Sequence, residues 1–325
     1  MRVKLSAFLQ WRLNVLLYRK LGWRLTYRYV LILGSLYYLV NRREKERIEE
    51  CVEEVFKEGK DKSEIDKLKR GVFQGILAHY YEKLFNAYED LEALKGFFRT
   101  SIRTRGGLEK LDRGLSKGRG VLFVTGHYGG IEYIPMFLAL EGYPISVIAK
   151  FSTRELKESL YLKTKDLGLR IIDAREETHI LNKIIRELRH NRIVFFECDE
   201  IEEWRPSKKE TISFLKKRVG VDRTINLIQK RAGAVVLFGL LHRASLDDYE
   251  LLLNDYEGIL QSLGKRSYSV GVAILKYFEK LIYIHPEAWY QWNNFAQMRA
   301  TSALDRKMFR AGVSLPRAAF NDNAV

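Results

Sequence analysis

From residue 121 onward the chain changes period, and no other feature narrows its possible folds as much. Short apolar runs at Val121–Val124, Ile145–Ala149, Arg170–Ile172, Ile193–Phe196, Val235–Leu240 and Tyr249–Leu253 alternate with helical spacing at about 132–141, 153–167, 177–190 and 221–232. Strands separated by helices return to one sheet by crossovers, which predicts α/β units on a mostly parallel or mixed sheet flanked by helices. Upstream the period is helical throughout. A charged helix is expected over 43–58. A second helical stretch over 63–97 has Ile65, Leu68, Val72, Phe73, Ile76, Leu77, Tyr80, Leu84 and Phe85 spaced by three and four. His79 falls inside that pattern and reads as a core or boundary histidine. The organisation predicted is an N-terminal segment (1–43), a helical region packed on the core (44–110), an α/β core (111–295) and a C-terminal tail (296–325).

Composition enters at two points. With 46% hydrophobic and 12% aromatic residues the chain is no disordered protein, and its net charge of +15 favours anionic partners. The two cysteines, Cys51 and Cys198, have no metal-ligand neighbour at close spacing, so neither a disulfide scaffold nor a zinc site is expected. The charge is concentrated in residues 1–43, which hold nine Lys and Arg side chains, no acid, and Trp11, Leu13, Leu16, Leu17 and Trp23 between them. The apolar run Tyr29–Val40 is shorter than the roughly 20 residues of a simple bilayer span. Basic residues mixed with Trp, Tyr and Leu describe a segment lying on an anionic membrane surface.

The first strand of the α/β region ends in Thr125-Gly-His-Tyr-Gly-Gly-Ile-Glu132, just where a helical pattern begins. A strand that feeds a helix through a glycine-rich turn is where α/β proteins place ligands. A carboxylate on one ring nitrogen of His127 would fix the tautomer while the other nitrogen accepts a proton, and Glu132 is the nearest candidate. The N–H groups of Gly129 and Gly130 could bind an oxyanion. Spacing alone leaves His127 and Glu132 equally readable as chemistry or as a structural turn. No Gly-x-Ser-x-Gly elbow or nucleophilic cysteine stands nearby, which disfavours a covalent acyl-enzyme.

The stretch Gly106-Gly-Leu-Glu-Lys-Leu through Gly118-Arg-Gly-Val-Leu-Phe-Val-Thr-Gly-His-Tyr-Gly-Gly-Ile-Glu132 resembles the signature region of the bacterial lipid A biosynthesis (late) acyltransferases. These belong to the lysophospholipid acyltransferase superfamily, with its His-x4-Asp/Glu motif. Ile284-His-Pro-Glu-Ala-Trp-Tyr-Gln-Trp-Asn-Asn-Phe295 is similar to the family's Pro-Glu-Gln-Trp-x-Trp segment. Phe214 and Gly233–Arg243 fall at its intervening elements, so the likeness runs in order over about 25–295. It implies a glycerolphosphate-acyltransferase-like fold and acyl transfer from an acyl carrier protein or acyl-CoA thioester to a hydroxyl of a lipid A-type glycolipid or lysophospholipid. The reaction would run at the cytoplasmic face of the inner membrane, with no metal or prosthetic group. His127 would be the general base and Glu132 its partner, with Glu197 and Asp199 as possible second acids. Arg243 would hold phosphate or stabilise charge, with Lys163 and Lys165 as further substrate-binding candidates.

The chain departs from the family at Ile131, at Ala288 within Pro286–Trp289, at Gln291–Asn294, and at Thr164, where the family carries Arg. The acceptor therefore stays open. Two rival readings are a basic nucleic-acid-binding protein, for which no helix-turn-helix, RNP-like or zinc pattern appears, and a non-catalytic membrane-bound scaffold.

Overall fold

The computed structural model describes residues 5–9, 11–151, 153–200 and 206–298. Of the features above, the first four residues of the basic segment and the tail from 299 onward lie outside the described residues, and so does the side chain of Trp23.

The front of the chain is helical: α1 (Leu5–Leu9), α2 (Arg12–Leu21), α3 (Trp23–Val40), α4 (Arg42–Phe56), α5 (Lys62–Tyr88) and α6 (Leu91–Ser101). Asp61 and Glu64 form a capping box that starts α5. The helix expected over 63–97 is two helices, because Asp90 takes an extended backbone and accepts from the Ala93 N–H, starting a new one. There follow β1 (Ile102–Thr104), α7 (Glu109–Leu115), β2 (Val121–Thr125), α8 (Ile134–Leu140), β3 (Ile145–Ala149), α9 (Arg154–Thr164), β4 (Arg170–Asp173), α10 (Ile180–Arg189) and β5 (Ile193–Glu197). The chain continues through β6 (Pro206–Phe214), β7 (Lys217–Asp222), α11 (Thr224–Ala232), β8 (Val235–Ser245), β9 (Asp248–Asp255), α12 (Tyr256–Ser262) and α13 (Val270–Ile284).

Seven strands form one mixed sheet in the order β1-β9-β8-β2-β5-β3-β4, with β8 and β9 antiparallel and every other neighbouring pair parallel. The α/β fold expected from the change of period is the fold observed. Strand β2 is central and buried along its whole length, as a strand covered on both faces must be. Leu122 and Val124 face one core with Val194 and Ile184, and Val121 and Phe123 face the other with Tyr133 and Ile134. The register sets Thr125 opposite Glu197, so the carboxyl ends of β2 and β5 finish level. Strand β1, the antiparallel β6–β7 hairpin and α13 were not foreseen.

Helix α3 packs inward on α5 through aromatic edges, Tyr38 on Phe73 at 4.8 Å and Tyr27 on Tyr81 at 5.5 Å. Its other face is apolar as well. Leu25, Ile32, Leu36 and Leu39 on α3, and Leu13 and Leu16 on α2, are each more than half exposed. Exposed Arg28 and Lys20 share those helices with them. Among the described residues no helix is long and apolar enough to cross a membrane.

Candidate active site

Asp199 stands just past the end of β5 and is wholly buried. The backbone N–H of His127 donates to its two oxygens at 3.1 and 3.0 Å, and the ring Nδ1 lies 2.9 Å from Oδ1. The Trp289 indole N–H donates to Oδ2 at 2.6 Å. A carboxylate can only accept, so the Nδ1 is the protonated nitrogen and Nε2 carries the lone pair of the neutral ring. Nε2 lies 3.6 Å from Glu197 Oε2 and 3.3 Å from Glu200 Oε2.

The distant Pro-Glu-Ala-Trp segment is stitched to this turn. Gly129 N–H donates to Ala288 O at 2.8 Å, and Tyr290 N–H donates to His127 O at 3.1 Å. Gly129 has φ +53°, and a Cβ there would lie 2.0 Å from Leu241 O. Only glycine fits that close approach to β8.

Glu132 does not take the imidazole. It falls in a 3-10 turn, Ile131–Tyr133, that carries it toward α5. There its carboxylate lies 3.3 Å from Lys83 Nζ and 3.7 Å from His79 Nε2, while its backbone carbonyl accepts from Asn86 Nδ2 at 2.9 Å. The ring's Nδ1 partner is Asp199, one of the two possible second acids of the sequence reading. Three other expected roles also change. Arg243 is buried in a two-point pair with Glu82 at 2.5 and 2.8 Å, and it also donates to Gly129 O at 3.1 Å. Its guanidinium clamps the turn, and Arg243 is not among the residues that line the cavity beside His127. The N–H groups of Gly129 and Gly130 are spent on Ala288 O and Leu241 O, so neither is a spare oxyanion donor. Lys163 donates to Asn86 O at 2.6 Å, and Lys165 is largely exposed with Asp166 as neighbour.

Three features escaped the sequence reading. Trp289, named there only as part of the Pro286–Trp289 segment, holds Asp199. Glu200 faces Nε2 beside Glu197. Helix α5 presents His79, Glu82, Lys83 and Asn86 at spacings of three and four, one polar stripe gripping the turn from behind. A polar stripe inside an apolar helical pattern was the signal available for the third.

His127 lines a cavity of about 1550 Å³ between the N-terminal helices and the carboxyl ends of β2, β3 and β5. That is beyond the roughly 300–1,000 Å³ of drug-sized sites and suits a lipid. His127, Glu132, Glu197, Glu200 and Lys83 lie on its wall, with apolar surface from Ile76, Ile131, Val147, Ile148, Ile184 and Phe195. Burial on its own pulls the His127 imidazole down, but Glu197, Asp199 and Glu200 together outweigh it and push the ring up to about 10. Burial pushes Glu197 up to about 7 against the opposing pull of His127. Among the described residues, His127, Glu197 and Glu200 are the set whose ligand atoms, all within 4.8 Å of one another, could hold a metal ion.

A sequence model of the family described as bacterial lipid A biosynthesis acyltransferase matches residues 99–293, which include His127, Asp199 and Trp289. Comparison with curated proteins gives no match. The family match spans more than half of the 325 residues and carries the stitched turn entire. The chain belongs to the bacterial lipid A biosynthesis acyltransferase family and is an acyltransferase.

Proposed function

We propose that the chain transfers a fatty acyl group from an acyl carrier protein or acyl-CoA thioester to a hydroxyl of a lipid A-type glycolipid or lysophospholipid. The site is proposed to lie at the cytoplasmic face of the inner membrane. The observation that carries this reading is a histidine in the wall of a lipid-sized cavity whose Nδ1 is spent on buried Asp199, which leaves Nε2 as the nitrogen that can take a proton. Nε2 takes the proton as the hydroxyl oxygen attacks the thioester carbonyl carbon. The tetrahedral intermediate collapses with cleavage of the C–S bond, and the imidazolium returns the proton to the thiolate. The products are the acylated lipid and a free thiol. A hydroxyl is a weak nucleophile at neutral pH, and removing its proton in flight is the task a positioned imidazole performs. Asp199 holds the tautomer. Glu132 keeps Lys83 in the cavity wall. No step requires a metal or a prosthetic group.

Only the neutral ring is a base. With His127 pushed up to about 10, log kcat/KM is expected to climb by about one per pH unit from neutral toward that value. Glu197 and Glu200 favour the imidazolium, so E197Q/E200Q should move the profile to lower pH. A rate profile with the same midpoint in this variant would remove these two carboxylates from control of the base.

Membrane contact is assigned to the outward face of α2 and α3, where Leu13, Leu16, Leu25, Ile32, Leu36 and Leu39 lie exposed beside Lys20 and Arg28. Tyr37 and Tyr38 of the same α3 line the cavity, so a lipid could pass from that surface to His127. Replacing Ile32 and Leu36 together with Glu should cut sedimentation with anionic vesicles by about tenfold or more, since each carboxylate is both polar and repelled. Unchanged sedimentation would move the membrane contact elsewhere.

The direct test of the reading is an assay of thiol release and acyl-lipid formation with purified chain, acyl thioester and a glycolipid acceptor. Thiol release without lipid acylation would overturn it.

A further inference from the structure

Acyl transfer places a full negative charge on the thioester carbonyl oxygen, and fixed positive charge or aligned N–H donors must meet it. Three backbone donors of the turn are spent. His127 N–H goes to Asp199, Gly129 N–H to Ala288 O and Gly130 N–H to Leu241 O. Arg243 is locked in its pair with Glu82. The basic side chains among the described residues of the cavity wall are Arg47, Lys83, Lys150 and Arg223. One of them is tied to the catalytic turn itself. Lys83 Nζ lies 3.3 Å from Glu132, and its side chain is 27% exposed toward the cavity that it lines with His127.

A continuous set of contacts leads from that amine to the base. Glu132 also lies 3.7 Å from His79, whose ring stacks on Tyr290 at 3.5 Å, and Tyr290 in turn meets the His127 ring edge-on at 5.3 Å. Glu132 raises the lysine's affinity for its proton, and Glu197 and Glu200, the two carboxylates around Nε2, act in the same direction. The ammonium is therefore held charged in the wall of the cavity that His127 also lines. Glu82, the residue before that lysine, and Asn86, three residues after it, fix the helix to the turn from behind, Glu82 through Arg243.

Resting on the acyl-transfer reading above, we propose that Lys83 is a catalytic residue. Its ammonium contacts the thioester carbonyl oxygen as the acceptor oxygen adds to the carbon. It stabilises the oxyanion of the tetrahedral intermediate and is released from it when the C–S bond breaks. It neither gains nor loses a proton, since His127 carries that. Glu132 is its positioning residue. Lys83 precedes the stretch matched by the family model, so the fold recruits it from the helical front of the chain.

The test separates this role from simple neutralisation of Glu132. Lys83→Met should lower kcat by about 10²–10³-fold, the usual loss on removing one oxyanion donor, with KM for thioester and acceptor held within about threefold. Lys83→Arg should regain part of the rate because it keeps the charge. The deciding variant is K83M/E132Q, in which the site loses both charges and the fold keeps its volume. If Lys83 meets the oxyanion, this double variant stays as slow as Lys83→Met while its melting temperature returns toward wild type. Recovery of kcat in the double variant, or full activity in Lys83→Met, would overturn the proposal. His127→Ala run in parallel identifies failure of the underlying reading, because only that failure leaves the alanine variant active.

Discussion

Replacing His127 with alanine is expected to lower kcat for acyl transfer by about 10³-fold or more, toward the upper end of the roughly 10²–10⁴ that a positioned general base contributes. The fold should survive. The ring has 15% of its side chain exposed and lies at the cavity wall, so its removal widens an existing space and opens no void in a core. Its backbone N–H still reaches Asp199 in the variant, as does the indole of Trp289. A melting temperature within a few degrees of wild type together with lost turnover is the expected pair of readings. Near-normal turnover of His127→Ala would end the general-base assignment.

The second large effect concerns the imidazole's partner. Asp199→Asn keeps the volume of a fully buried side chain but replaces a pure acceptor with a group that also donates. Three donors converge on the native carboxylate: His127 N–H, His127 Nδ1–H and Trp289 Nε1–H. An amide cannot accept from all three. The ring then favours the tautomer with its proton on Nε2, where it is useless as a base. A loss of about 10³-fold in kcat is expected, by the same tautomer logic that governs serine-protease triads. Glu132→Gln should cost less than Asp199→Asn, since Glu132 pairs with Lys83 and it is Asp199, not Glu132, that meets the ring at Nδ1. The reverse order of effects would return the orienting role to Glu132.

The strand, the turn and the α/β class were legible because they are local. Val121–Val124 is a continuous apolar run, and the glycines after His127 announce a tight turn within a few residues. The pairing inside the site was not local. Asp199 lies 72 positions from His127, and only the parallel register of β2 with β5 brings their ends together. Glu132 is the nearest acid in sequence, and a spacing of five on a regular helix would leave it near the strand end. The 3-10 turn rotates it to α5 instead. Arg243 was recognisable as a special arginine, yet its acid, Glu82, sits 161 positions upstream in a helix that reads as ordinary packing. The β6–β7 hairpin escaped because Lys208-Lys209 and Lys216-Lys217-Arg218 break its apolar alternation.

Sequence and structure meet at the turn between β2 and α8, where four separate parts of the chain converge. The β5 end supplies the buried acid, the Pro286–Trp292 segment closes over it, α5 braces Glu132, and β8 provides the clamp through Arg243. A turn held this firmly keeps one nitrogen of one ring aimed at the cavity. Preorganisation of that kind is what proton transfer in flight demands.

The most direct measurement is mass spectrometry of a glycolipid acceptor incubated with purified chain and a long-chain acyl thioester, with free thiol counted in the same sample. One acyl group gained per thiol released, absent in His127→Ala, is the expected result. Equal thiol release from wild type and His127→Ala, with the glycolipid mass unchanged, would contradict acyl transfer by His127.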